Sequence, residues 1–136
     1  MKITFINQSH EGTIEEEGRR LLSIRAEDFT RFFKNLEDED TREDAYTELN
    51  EYPLHWGRIY PIDEEDDDGE YLDPDVPLYY RLQLSTGGPG DEIRFYGRSG
   101  RIEYVYLDWW SGIGFDITGE DWARDLYWHW EDFMNS

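Results

Sequence analysis

Carboxylates dominate the side chains that could do chemistry in this chain. Asp44, Glu48 and Glu51 repeat at i, i+4 and i+7, and Asp121, Asp125 and Asp132 follow at i, i+4 and i+11, with Trp128 between the last two. On a helix each series is a ladder of anions with rungs about 5–6 Å apart, except between Asp125 and Asp132, where Trp128 intervenes. Two dense tracts add to them: Glu37, Asp38, Glu39 and Asp40, then Asp63, Glu64, Glu65, Asp66, Asp67, Asp68 and Glu70. Such groupings suit recognition of a cationic surface, cation binding or, taken as pairs, acid–base work. With 33 acids, pairs spaced for glycoside cleavage could be drawn almost anywhere, so pairs alone carry no information.

Other chemistries are thinly represented. Cysteine is absent, which removes disulfides, thiolate zinc sites and a cysteine nucleophile. His10 falls in a polar loop, His55 stands beside Trp56, and His129 lies inside the apolar stripe of the last helix, a place for a core histidine more than for a base. No nucleophile elbow, Walker loop, His-Glu-x-x-His pair or dinucleotide fingerprint occurs. The run Gly87-Gly88-Pro89-Gly90 reads as a hairpin loop, because no lysine or helix start follows to hold a phosphate. A non-enzymatic protein without cofactor or specific metal site is expected. Glu64-x-Asp66-x-Asp68-Gly69 followed by Asp75 approximates a calcium loop, but with Glu at the first ligand, Asp at the last, and Pro61 and Pro74 where helices should flank it. A calcium-dependent module is thus a third functional reading.

The 136 residues carry a formal charge of -20, and that charge is segregated. Residues 1–26 and 76–110 are neutral, whereas 27–51, 61–75 and 111–136 carry -7, -9 and -5. Such a field repels phosphate, so a basic protein partner is expected and direct binding of nucleic acid or anionic membrane is not. Adaptation to high salt, for which the presence of only two lysines speaks, explains the total charge but not its segregation. Aromatic residues make up 17%, which excludes a disordered acidic tail. With no apolar run of about 18 residues and no signal-peptide pattern, a cytoplasmic location in a bacterial host is expected.

One domain spanning 1–136 must position these acids. Met1–Asn7 and Arg19–Ile24 read as short strands, with Gly12 and Gly18 punctuating the connection. Phe29, Phe32, Phe33 and Leu36 then form a helical stripe, and a second helix follows Thr41, which makes a weaker capping box with Asp44 three residues on, with Ala45, Leu49 and Tyr52 inward and Pro53 as its stop. Residues 61–77 read as a surface loop. Leu78–Ser85, Glu92–Tyr96 and Ile102–Leu107 alternate with period two, the pattern of an antiparallel meander turning at 86–91 and 98–100. After a glycine-containing bend, Thr118 is placed to cap a last helix that buries Trp122, Leu126, His129, Trp130 and Phe133. The expected class is α+β: an antiparallel sheet built on a central three-stranded meander, two helices before it and one after, packed on one face.

On that wheel Trp128 points away from the apolar stripe and sits among acids, as an interface hot spot would, or as an indole packed on the sheet rim. If the segments 37–51, 63–75 and 121–132 share one side of the fold, they offer about the charge that a protein making 6–10 phosphate contacts expects to meet. In size, charge and the tracts Glu37–Asp40 and Asp63–Asp68, the chain resembles the nucleic-acid-mimicking anti-CRISPR and anti-restriction inhibitors of phages and plasmids. That class has no common fold or motif. The run Tyr80–Asp91 with Ile102–Tyr104 and Leu107–Trp109 also resembles a segment of small proteins from mobile elements, which implies a shared meander and no catalytic residue. The resemblance implies an inhibitor that occupies the basic groove of a CRISPR effector or restriction enzyme. An immunity protein or antitoxin capping a basic nuclease toxin is the alternative.

Overall fold

The three period-two runs form the middle of a larger sheet. The computed structural model describes residues 1–6, 11–61, 75–87, 89–109 and 111–134. Its strands are β1 (Ile3–Ile6), β2 (His55–Ile59), β3 (Tyr79–Ser85), β4 (Gly90–Tyr96), β5 (Arg101–Asp108) and β6 (Ser111–Asp116). They make one six-stranded antiparallel sheet in the order β1-β6-β5-β4-β3-β2. The helices are α1 (Glu11–Glu37), α2 (Arg42–Glu51) and α3 (Asp121–Met134). The expected class, α+β, is right, but a three-stranded meander as the sheet is corrected to six strands.

Alternation assigns the two faces. Ile3, Phe115, Tyr104, Ile93 and Leu82 lie in one cross-strand row and belong to the core that all three helices cover, with Phe29, Leu49 and Leu126 fully buried above it. Thr4, Gly114, Val105, Glu92 and Gln83 form the matching row of the opposite face. The two helices before the meander and the one after it therefore sit on one side, as the apolar stripes require.

Arg19–Ile24 is helical and not a strand. Ile14, Gly18, Leu22, Arg25, Phe29 and Phe32 advance by four or three residues along a single 27-residue helix, so the 3.6 period runs unbroken through the supposed punctuation. Gly18 is there for packing: a Cβ on it would come within 2.9 Å of both Ile113 and Phe115, so its absence lets α1 settle onto β6. The expected bend at 111–116 is strand β6, in which Gly112 and Gly114 alternate with the buried Ile113 and Phe115. Gly114 makes room for the Glu103 side chain, which would lie 2.7 Å from a Cβ there.

Both predicted caps are also corrected. The Thr41 hydroxyl donates to the Asn35 carbonyl at 2.8 Å and makes no cap bond to α2. Thr118 donates to Asp116 at 2.6 Å and accepts from the Ile102 amide at 2.9 Å, tying β6 to β5, while α3 starts from the Glu120 carbonyl.

Candidate functional site: an acidic helical face

α1 and α2 form an antiparallel hairpin, because Tyr52 at the end of α2 reaches back to Arg25, Asp28 and Phe29. The turn between them holds Asp38, Glu39 and Asp40, all exposed, as is Glu37 at the end of α1. Four acids thus crowd the C-terminal end of a helix, where the macrodipole disfavours each by about 0.3–1 kcal/mol. Arg42 relieves part of this by donating to the Leu36 carbonyl at 2.9 Å. Asp38 has a local role, since its Oδ1 accepts from the Asp40 amide at 2.9 Å and shapes the turn into α2, but among the described residues no bond of this kind holds Glu37 or Glu39.

Across from that end, Glu120 precedes α3, Asp121 opens it and Asp125 follows one turn on. A groove of about 390 Å³ between α1 and α3 is lined by Thr30, Phe33, Lys34, Glu37, Glu120, Asp121, Trp122 and Asp125. The structure therefore brings Glu37 together with Asp121 and Asp125 from a tract far away in sequence. Asp121 sits in the first turn of α3, where the dipole stabilises it, so for this residue a helix-capping role accounts equally for its placement. Sequence reading missed Glu120 and Lys34; adjacency to Asp121 was the only signal for the first, and nothing marked the second.

The remaining candidates spread out. Trp128 is 66% exposed and borders a cleft of about 490 Å³ with Arg124, Tyr127 and the β4–β5 turn. Asp132 is exposed one turn beyond it. Asp44, Glu48 and Glu51 are exposed on α2, but Tyr46 and Asn50 make that helix's contacts with His129 of α3. At about 100° per residue, the ladder lies on the other side of the buried Ala45–Leu49 stripe from Tyr46 and Asn50. It shares the helical side of the sheet and faces away from the α1–α3 groove. Asp63, Glu64, Glu65, Asp66, Asp67, Asp68 and Glu70, with the calcium-like loop, lie outside the described residues.

Ion pairs form at some of the described acids, and the candidates share their unpaired state with Glu16, Glu27, Glu43, Glu120 and Glu131. Glu15, Glu17, Asp28, Asp91 and Glu92 pair with Arg19, Arg20, Arg31, Arg25 and Arg94. Among the described residues, none of the candidate acids forms an ion pair. Nor do three His, Asp or Glu side chains converge there as a metal site would need.

His129 holds the helical layer together. Its Nε2 lies 3.1 Å from Asn50 Oδ1, its ring meets Tyr46 and Phe33 edge-on, and burial pushes its pKa down from 6.5.

A second polar cluster escaped sequence reading. The fully buried Asp91 carboxylate accepts from Arg25 Nε at 2.8 Å and Nη2 at 2.9 Å, from the Tyr104 hydroxyl at 2.8 Å and from Ser85. Arg25 also donates to the Tyr52 hydroxyl at 2.9 Å, and Tyr52 donates to Asp28. Burial works against the Arg25 cation, yet the bonds to Asp91 and Tyr52 hold its pKa above the ordinary value; burial and the neighbouring Asp91 push Tyr104 up. With Asp91 and Tyr104 buried and Arg25, Tyr52 and Asp28 half-buried, every polar group of this cluster is engaged within it, and it ties α1 and α2 to the sheet.

No protein family matches the chain, and neither does any curated protein or solved structure. No helix among the described residues is long and apolar enough to cross a membrane.

Proposed function

We propose that the protein is a non-enzymatic inhibitor that stands in for a phosphate backbone and occupies the basic nucleic-acid groove of a host defence complex, of CRISPR or restriction type. One observation carries this reading: the described candidate acids are exposed on the helical side of the sheet without ion pairs, and Glu37, Asp121 and Asp125 line one groove there, with Lys34 the single cation among the described residues of its wall. Carboxylates left unpaired at the unfavourable end of α1 stand ready to meet another molecule's lysines and arginines. A long-range field of this sign speeds encounter with such a surface and weakens with salt.

The test is capture of proteins from a bacterial lysate on the immobilised chain at low salt, followed by a NaCl gradient and mass spectrometry. Nucleic-acid-binding proteins should be recovered and released by excess duplex, and the triple variant Glu37→Gln/Asp121→Asn/Asp125→Asn should hold them at least about tenfold less tightly. Recovery of no nucleic-acid-binding protein would sink the proposal. The exposure of Trp128 favours a second reading, an immunity protein for a basic nuclease toxin. That partner would resist moderate salt and duplex competition through shape and aromatic anchoring.

A further inference from the structure

In the β5–β6 hairpin Asp108 pairs with Ser111, so the strands are two residues apart in sequence and Trp109 is the first of the link. Two-residue hairpin loops need a positive φ at their first position, which Asn, Asp or Gly supplies with little strain. Here the residue is Trp109, at φ 49° and 77% exposed. Elsewhere among the described residues, the fold fills its left-handed positions with glycine: Gly87 at φ 96° and Gly100 at φ 73°, the latter in the neighbouring β4–β5 turn. A bulky side chain in this region brings its Cβ against the backbone carbonyl, and an exposed indole recovers no burial in return. Neither the turn nor the core accounts for tryptophan at this position.

We infer that Trp109 is a docking anchor that the β5–β6 hairpin inserts into an apolar pocket on a protein partner, with the pocket's rim basic where it meets Asp108. Tryptophan is the side chain most enriched among residues that dominate binding energy. Mounting it on a two-residue link fixes its direction, so little loop ordering opposes association. The chain's charge of -20 turns away nucleic acid and anionic lipid, which leaves a protein as the occupant. The hairpin tip precedes β6, whereas Asp121 and Asp125, which line the groove with Glu37 of α1, follow its C-terminal end. The inference therefore does not rest on the phosphate-surrogate reading.

Trp109→Gly, Trp109→Phe and the triple groove variant, each as the full chain, decide it. Trp109→Gly should melt at the wild-type temperature or up to about 3 °C above it, because strain is relieved and no core contact is lost. Lysate proteins that stay on the immobilised wild type through about 0.5 M NaCl, where surface charge is screened, should fall at least tenfold on Trp109→Gly. Trp109→Phe and the groove variant should retain them. A lower melting temperature for Trp109→Gly would make the indole a structural residue and overturn the inference. So would the absence of a salt-resistant fraction on the wild type, equal retention by Trp109→Gly, or Trp109-dependent sedimentation with phosphatidylcholine vesicles. Loss of capture by the groove variant alone would leave the phosphate surrogate standing and remove the anchor.

Discussion

Asp91 and His129 show what polar residues do in a chain crowded with anions. Asp91 gathers Arg25, Tyr104 and Ser85 beneath α1, so Asp91→Asn would leave a partly buried guanidinium without its counter-charge. Breaking a buried pair from one side costs about 3–5 kcal/mol, whereas removing both charges costs much less. Asp91→Asn is therefore expected to lower Tm by at least about 10 °C, and Arg25→Met/Asp91→Asn to recover part of that loss, as followed by thermal circular dichroism. His129 makes a prediction about pH. Burial lowers its folded pKa below the 6.5 of the unfolded chain, so its contribution is complete above pH 6.5 and is lost as pH falls through the folded value. Between about pH 7.5 and 5, wild type should lose stability relative to His129→Gln in urea titrations; parallel pH profiles would contradict this. Neither role was fully legible beforehand. The stripe of α3 marked His129 as a core residue, but no local pattern announces a carboxylate that meets an arginine 66 positions away.

Helix α1 shows where periodicity misleads. Gly18 looks like a break, and the six residues after it look like a strand, yet Ile14, Leu22 and Phe29 keep the helical phase through it. What the sequence could not disclose was that β6 lies against that glycine. Gly18→Val would push a branched side chain into Ile113 and Phe115 at 2.9 Å and is expected to cost about 1–3 kcal/mol, although valine suits a helix slightly better than glycine does. A Tm at or above wild type would show that α1 and β6 do not make this close approach. The strands β3, β4 and β5 were legible because side chains alternate with period two over the runs Leu78–Ser85, Glu92–Tyr96 and Ile102–Leu107 that they contain. β2 was not, being short and carrying no clean alternation, and β6 was hidden because glycines fill its outward positions and signal a bend. The α2 ladder was read correctly as exposed, but the side it faces depends on Tyr46 and Asn50 meeting α3, a tertiary fact.

Over the whole molecule, the charge of -20 opposes folding even as it favours a basic partner, and the two effects can be separated by experiment. Repulsion among exposed carboxylates acts over a Debye length, which shrinks from about 20 Å to about 6 Å as NaCl rises from roughly 20 to 300 mM. Tm should climb over that range, in contrast to a protein held mainly by surface ion pairs, which would weaken. The rise should be smaller in Glu37→Gln/Glu39→Gln, because these variants remove charge from the end of α1 where the helix dipole already disfavours it. The same pair should melt about 2–5 °C above wild type at low salt while binding a basic partner less tightly, the trade expected when a surface is kept unfavourable to the fold for the sake of recognition. Calorimetry across the salt series measures the first effect, and surface plasmon resonance association rates with the recovered partner measure the second. If neutralising Glu37 and Glu39 lowered Tm, those acids would be serving the fold, and the argument that they are held unpaired for another molecule would lose its energetic basis.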